Sequence, residues 1–101
     1  MKASIGRIVH YTLTSYNAEA INKRRADGFA HMSEHRNNSN GVMVHVGNSV
    51  NEGDVYPLVV TRVWTENSVN GTVLLDGSDT FWATSVTQGE GLGFWFEPPR
   101  V

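Results

Sequence analysis

Gly53-Asp54-Val55-Tyr56-Pro57 leads into the run Leu58 to Trp64, a polar turn at Glu66-Asn67-Ser68, the run Val69 to Leu75, a turn at Asp76-Gly77, and the run Phe81 to Val86. Three β-rich runs at short, even spacing spell an antiparallel meander, and a meander of this size closes into a small barrel. Pro57 falls at the beginning of its strand, where a missing ladder donor is tolerated. The run after it is apolar on both faces: Leu58, Val60 and Trp64 share one, Val59 and Val63 the other. One face fills the barrel, and the other needs a cover, either the helix or a neighbouring subunit. Val69, Val73 and Leu75 share a face that Gly71 leaves open, and Asp76-Gly77 is a strong hairpin signal.

Upstream, Arg7 to Leu13 alternates, with Val9, Tyr11 and Leu13 as the core face of a first strand. Thr14 or Ser15 then caps a helix over about 15–36, with Glu19 in its first turns, where the dipole favours a carboxylate. Gly28 weakens that helix without ending it. Its apolar positions, Ala18, Ile21, Phe29 and Met32, form a thin stripe, which predicts loose packing or packing against another subunit. Asn37 to Gly41 reads as a loop and Val42 to Val46 as a second strand. Residues 89–101 form a tail of three glycines, the aromatic triplet Phe94-Trp95-Phe96, which needs an anchor on the body or on another copy, and the extended pair Pro98-Pro99. The expected architecture is therefore α+β, a single domain over 1–101. It is a small antiparallel SH3-like β-barrel or meander with one α-helix inserted after the first strand.

The chain has 101 residues, a formal charge of −2, 40% hydrophobic residues and no cysteine. That length fits one domain with a thin core, to which an oligomer interface would add stability. The charge gives no global field for nucleic acid, so extended DNA or RNA is not an expected partner and any anion site is a local patch. The absence of cysteine excludes disulfides and thiolate metal sites and fits a reducing cytoplasm. No secretory h-region and no membrane-length apolar run is visible.

The motifs argue against chemistry. His31-Met32-Ser33-Glu34-His35 matches the H-x-x-E-H pattern of inverted zincins, but no downstream helix remains to supply a third ligand, so no metal or cofactor is expected. Gly89-x-Gly91-x-Gly93 lacks the Lys-Ser/Thr of a phosphate loop. Asp54, Asp76 and Asp79 sit in turns, where Asp serves the backbone. No nucleophile elbow or triad spacing occurs, so an enzyme is not expected. Lys23-Arg24-Arg25 is a basic helical edge: it reads equally as a solvated face and as an anion site in which guanidinium forks hold phosphate. On the second reading Arg7, Arg24 and Arg25 hold phosphates, while Tyr11 or Trp82 stacks a base.

Ile5 to Tyr11, Asp54 to Trp64, Val69 to Gly77 and the Gly93 to Arg100 tail together resemble a family of short proteins encoded by tailed bacteriophages, especially those of actinobacteria. The resemblance covers nearly the whole chain. It implies a role in the host bacterial cytoplasm as a sponge. Such a homo-oligomer sequesters a cyclic nucleotide or cyclic ADP-ribose immune signal in pockets at subunit seams. No ligand contact is carried over from that resemblance; Arg7, Tyr11, Arg24, Arg25 and Trp82 are assigned from side-chain chemistry alone. The alternative is a non-catalytic protein-interaction module or minor phage structural protein that docks through the Phe94-Trp95-Phe96 cluster.

Overall fold

The computed structural model describes residues 2–35 and 47–99, with the backbone alone for 27–35. The expected strand at Val42 to Val46, the Asn37 to Gly41 loop, and the side chains of Phe29, His31, Met32, Glu34 and His35 lie outside the described residues.

The elements run β1 (Ile8–Thr12), α1 (Ser15–His35), β2 (Val55–Val63), β3 (Ser68–Leu74), β4 (Thr80–Thr87) and β5 (Trp95–Phe96). All strand pairs are antiparallel, in the spatial order β4-β3-β2-β1-β5. The sheet curls far enough that Gln88, just past β4, bridges Trp95 of β5. The result is an α+β half-barrel. Pro57 stands opposite His10 in the β1–β2 ladder, and the β2–β3 ladder begins one residue beyond it, at Leu58 opposite Val73.

The inner face is built from alternate residues: Val9 and Tyr11 from β1, Leu58 and Val60 from β2, Val69 and Val73 from β3, Ala83 and Val86 from β4, with Trp95 at the seam, all buried. Gly71 does not leave this face open, as its missing side chain had suggested. Leu58 fills the space, and a Cβ on Gly71 would lie 2.7 Å from Leu58 Cγ and 2.7 Å from the Val59 carbonyl.

Two bulges decide which residues face in. The β2–β3 register slips between Val60 and Arg62, so Thr61 is an extra residue and the alternation changes parity after it. Val63 then turns inward opposite buried Val69, and Trp64 turns out to 51% exposure. Simple alternation had placed Trp64 with Leu58 and Val60; the bulge reverses it. The β3–β4 register slips on the same stretch of β3, between Val69 and Gly71, so Ala83 and Val86 both stay inside while Thr84 and Ser85 are exposed. Ser85 takes a left-handed φ of 53° to do this.

The helix starts where expected, with Thr14 as its cap. Thr14 Oγ1 accepts from Asn17 N at 3.0 Å and Asn17 Oδ1 accepts from Thr14 N at 3.1 Å, a reciprocal capping box with Asn in the acidic position. Asn17 Oδ1 also accepts from the Tyr11 hydroxyl at 2.7 Å, which ties the cap to β1. The first turn carries no acidic residue, and Glu19 falls in the second. Helical backbone continues through Gly28 to His35.

The tail folds back on its own domain. Gly91 (φ 103°) and Gly93 (φ 81°) make the reversal, and Gly93 N donates to the Thr12 carbonyl at 2.8 Å. Trp95 is fully buried and its Nε1 donates to the Asn67 carbonyl at 2.9 Å. The aromatic triplet is thus not an exposed docking cluster. Its middle residue belongs to the core, Phe96 meets His10 edge-on at 5.4 Å, and only Phe94 and Phe96 retain partial exposure.

Two consequences are measurable. Gly71→Ala overpacks the Leu58 contact and lowers unfolding free energy by about 1–3 kcal/mol in urea titration. The buried Tyr11 phenol has its pKa raised above 10.0 by desolvation. That of Tyr56 is raised by burial and then by the neighbouring Asp54 carboxylate. The unfolded chain therefore ionises first, so the stability from these two groups is complete below pH 10 and is lost as pH rises through their folded values. The contribution of these two groups to urea stability is expected to be level up to about pH 9 and to fall beyond pH 10, and Tyr11→Phe makes that fall shallower.

Candidate functional site

The basic helical edge is an internal clamp. Asp79, at the end of the β3–β4 turn, has a side chain with 0% exposure. Its Oδ2 accepts from Arg24 Nη2 at 2.5 Å and lies 3.5 Å from Arg25 Nε. Its Oδ1 accepts from Thr80 N at 2.8 Å, and Arg24 Nη2 also reaches the Thr80 carbonyl at 3.0 Å. Arg25 is only 5% exposed and donates through Nη1 to the Asn48 carbonyl. One helical turn earlier, Asn22 exchanges two bonds with the Val50 backbone, at 2.8 and 3.0 Å. Asp79 is therefore more than a turn residue: its carboxylate is the counter-charge of the buried Arg25 guanidinium and also pairs the partly exposed Arg24.

The five residues assigned to a nucleotide pocket do not converge within one chain. Arg24 and Arg25 are engaged with Asp79. Tyr11 is on the inner sheet face, buried, with its hydroxyl spent on Asn17. Trp82 is on the outer face at 67% exposure, so the two rings proposed to stack a base lie on opposite sides of the sheet. Arg7 is exposed just before β1, its carbonyl accepting from Val60 N at 2.9 Å. A hollow of about 260 Å³ is lined by Tyr16, Glu19, Ala20 and Lys23 on α1 and contains none of the five. Among the described residues no group of three His, Cys, Asp or Glu side chains could hold a metal ion. No described helix is long and apolar enough to cross a membrane.

What the structure does assemble lies where the two bulges meet. Both leave their extra residues beside Asn70, an outward-directed side chain that is nonetheless buried. Its Oδ1 accepts from Trp64 Nε1 at 2.9 Å and from Ser85 N at 2.7 Å. The Arg62 guanidinium carbon sits 4.1 Å from the Trp64 ring centroid. The indole is held at its edge by a hydrogen bond, covered by a cation and still half-exposed. That is a side chain whose rotamer freedom is already lost, so a ligand that packs on it does not pay for its ordering. Sequence reading missed this site because alternation gave Trp64 the parity of Leu58 and Val60, and a single inserted residue in a strand leaves no pattern to read. The cue available was an Arg two residues before a Trp at a strand end.

Comparison with known protein families, with characterised proteins and with solved structures gives no match to this chain.

Asn70→Ala removes the acceptor for both Trp64 and the Ser85 amide. A loss of about 1–3 kcal/mol in urea stability is expected, together with lower steady-state anisotropy of tryptophan emission as the Trp64 ring is released. Unchanged anisotropy would mean the indole is not held by Asn70.

Proposed function

We propose that the protein is a non-catalytic interaction module, an SH3-like half-barrel that captures a protein partner on the Trp64 platform. The strand order, with the helix inserted between β1 and β2, supports the SH3-like reading. The observation that carries the function is the pre-ordered, half-exposed Trp64 under Arg62, since Trp and Arg are the residue types that dominate binding hot spots. The two bulges, and the left-handed Ser85 among them, are local strain kept where a side chain has to be aimed.

A second reading is the nucleotide sponge of a phage defeating a host immune signal. It is favoured by Trp82, exposed on the outer face with no carboxylate on its cross-strand neighbours Thr72 and Val59. In that reading Arg7 and Arg62 supply charge and Trp82 supplies stacking, while Arg24 and Arg25 keep the fold. Native mass spectrometry with cyclic di- and trinucleotides and cyclic ADP-ribose isomers tests it. Bound ligand that Trp82→Leu abolishes supports the sponge, and a protein that stays empty rejects it.

For the interaction module, immobilised wild-type protein, Trp64→Ala and the turn variant Glu90→Ala are compared for retention of proteins from host and phage lysates. Loss of a hot-spot tryptophan costs about 2 kcal/mol or more, so retention by Trp64→Ala is expected to fall at least tenfold while Glu90→Ala matches wild type. Equal retention by Trp64→Ala would remove the platform from the account.

A further inference from the structure

We infer that the partner segment landing on Trp64 carries an Asp or Glu side chain, whose carboxylate Arg62 takes bidentately, an assignment that rests on the platform reading above and adds the chemistry of its occupant.

The Arg62 guanidinium carbon lies 4.1 Å from the Trp64 ring centroid, and both residues are exposed. A guanidinium over a ring spends its face on that contact, while its N–H donors lie in its own plane and point outward from the rim. Among the described residues no ion pair or hydrogen bond engages the Arg62 guanidinium. The indole it covers is anchored to Asn70 through Nε1 at 2.9 Å. The fork therefore rests on a fixed ring, with part of its rotamer freedom already spent before any ligand arrives.

Desolvation decides what the partner carries. A surface that packs on Trp64 also reaches a cation 4.1 Å from the ring and strips water from it. A purely apolar surface leaves that charge dehydrated and unpaired, which is costly. An acidic side chain instead replaces the lost water with two parallel charge-assisted hydrogen bonds. A basic segment meets its own sign. The surroundings have the same polarity. Backbone bonds from Ala3 N to the Glu66 carbonyl and from Val60 N to the Arg7 carbonyl bring residues 2–9 and 59–70 together. Those two segments contain Lys2, Arg7 and Arg62 against Glu66 alone, and Glu66 is already paired with Lys2 at 3.5 Å. The platform end is thus locally basic on a chain whose formal charge is −2. Three cations do not make the phosphate track that a nucleic acid needs, whereas one fork matches one carboxylate.

A random-sequence peptide library panned on the whole immobilised protein reads this chemistry directly. Wild type is expected to enrich peptides with Asp or Glu beside an apolar residue, and Arg62→Glu to enrich Lys or Arg there instead. The most enriched peptide is then compared, by fluorescence anisotropy, with a counterpart in which the acid is replaced by its isosteric amide. The amide peptide is expected to bind wild type at least tenfold more weakly than the acid, and to bind Arg62→Gln as well as the acid does. Arg62→Lys, which keeps the charge and loses the fork, is expected to fall between the two. Arg62 is exposed, so urea midpoints close to wild type are expected and separate a loss of binding from a loss of fold. Peptides that are lost on Trp64→Ala, yet carry no acid and bind Arg62→Gln equally, overturn the carboxylate assignment and leave the platform standing. Peptides that Trp64→Ala retains overturn the platform and the assignment together, as does a library from which wild type enriches nothing. A phosphoserine peptide bound at least tenfold more tightly than its glutamate counterpart overturns the assignment by giving the fork to a phosphate.

Discussion

One buried carboxylate holds the two halves of this molecule together. Over residues 15–26 of the helix Ala18, Ile21 and Arg25 are the buried side chains. Polar contacts add to the apolar ones along that stretch. Asp79 pairs Arg24 and Arg25 from the helix at the turn between β3 and β4, while Arg25 and Asn22 bind the backbone at Asn48 and Val50. The helix, the segment entering β2 and the β3–β4 turn thereby become one polar joint. Such a joint adds little net stability over an apolar replacement, but it is intolerant of losing one partner.

The sheet meets a different constraint. A half-barrel must curl, and curling in a short meander is produced by bulges. Placing two bulges on either side of Asn70 keeps Val63, Ala83 and Val86 in the core at the cost of turning Trp64, Thr84 and Ser85 outward. The outward Trp64 is then stabilised by the one residue that both bulges leave beside it. The residues that bend the sheet thus lie beside those that hold Trp64 outward.

Much of the fold was legible because it depends on period and punctuation. Val9, Tyr11 and Leu13 alternate and are buried; Thr14 caps the helix; Asp76-Gly77 joins β3 to β4. The site was less legible, for three physical reasons. Whether a helical Arg is solvated or buried depends on a carboxylate fifty-odd positions away, and the sequence does not display that pairing of Arg24 with Asp79. An inserted residue such as Thr61 inverts every later assignment on its strand, which is why Trp64 was expected on the face of Leu58 and Val60. Trp95 and its aromatic neighbours read as a group that docks either on the body or on another copy, and it is the curl of the sheet, bringing that strand beside β1 and Trp95 into the core, that decides for the body.

If Arg24 and Arg25 are spent on Asp79 and the fold, the loss of Asp79 and the loss of Arg25 must be coupled. A double-mutant cycle tests it most directly, with urea unfolding of wild type, Asp79→Ala, Arg25→Met and the double variant. The account predicts that each single change is strongly destabilising and that the double variant is more stable than their sum by roughly 1–3 kcal/mol. Additivity within about 0.3 kcal/mol would contradict it, leaving the guanidinium groups unaccounted for by the fold.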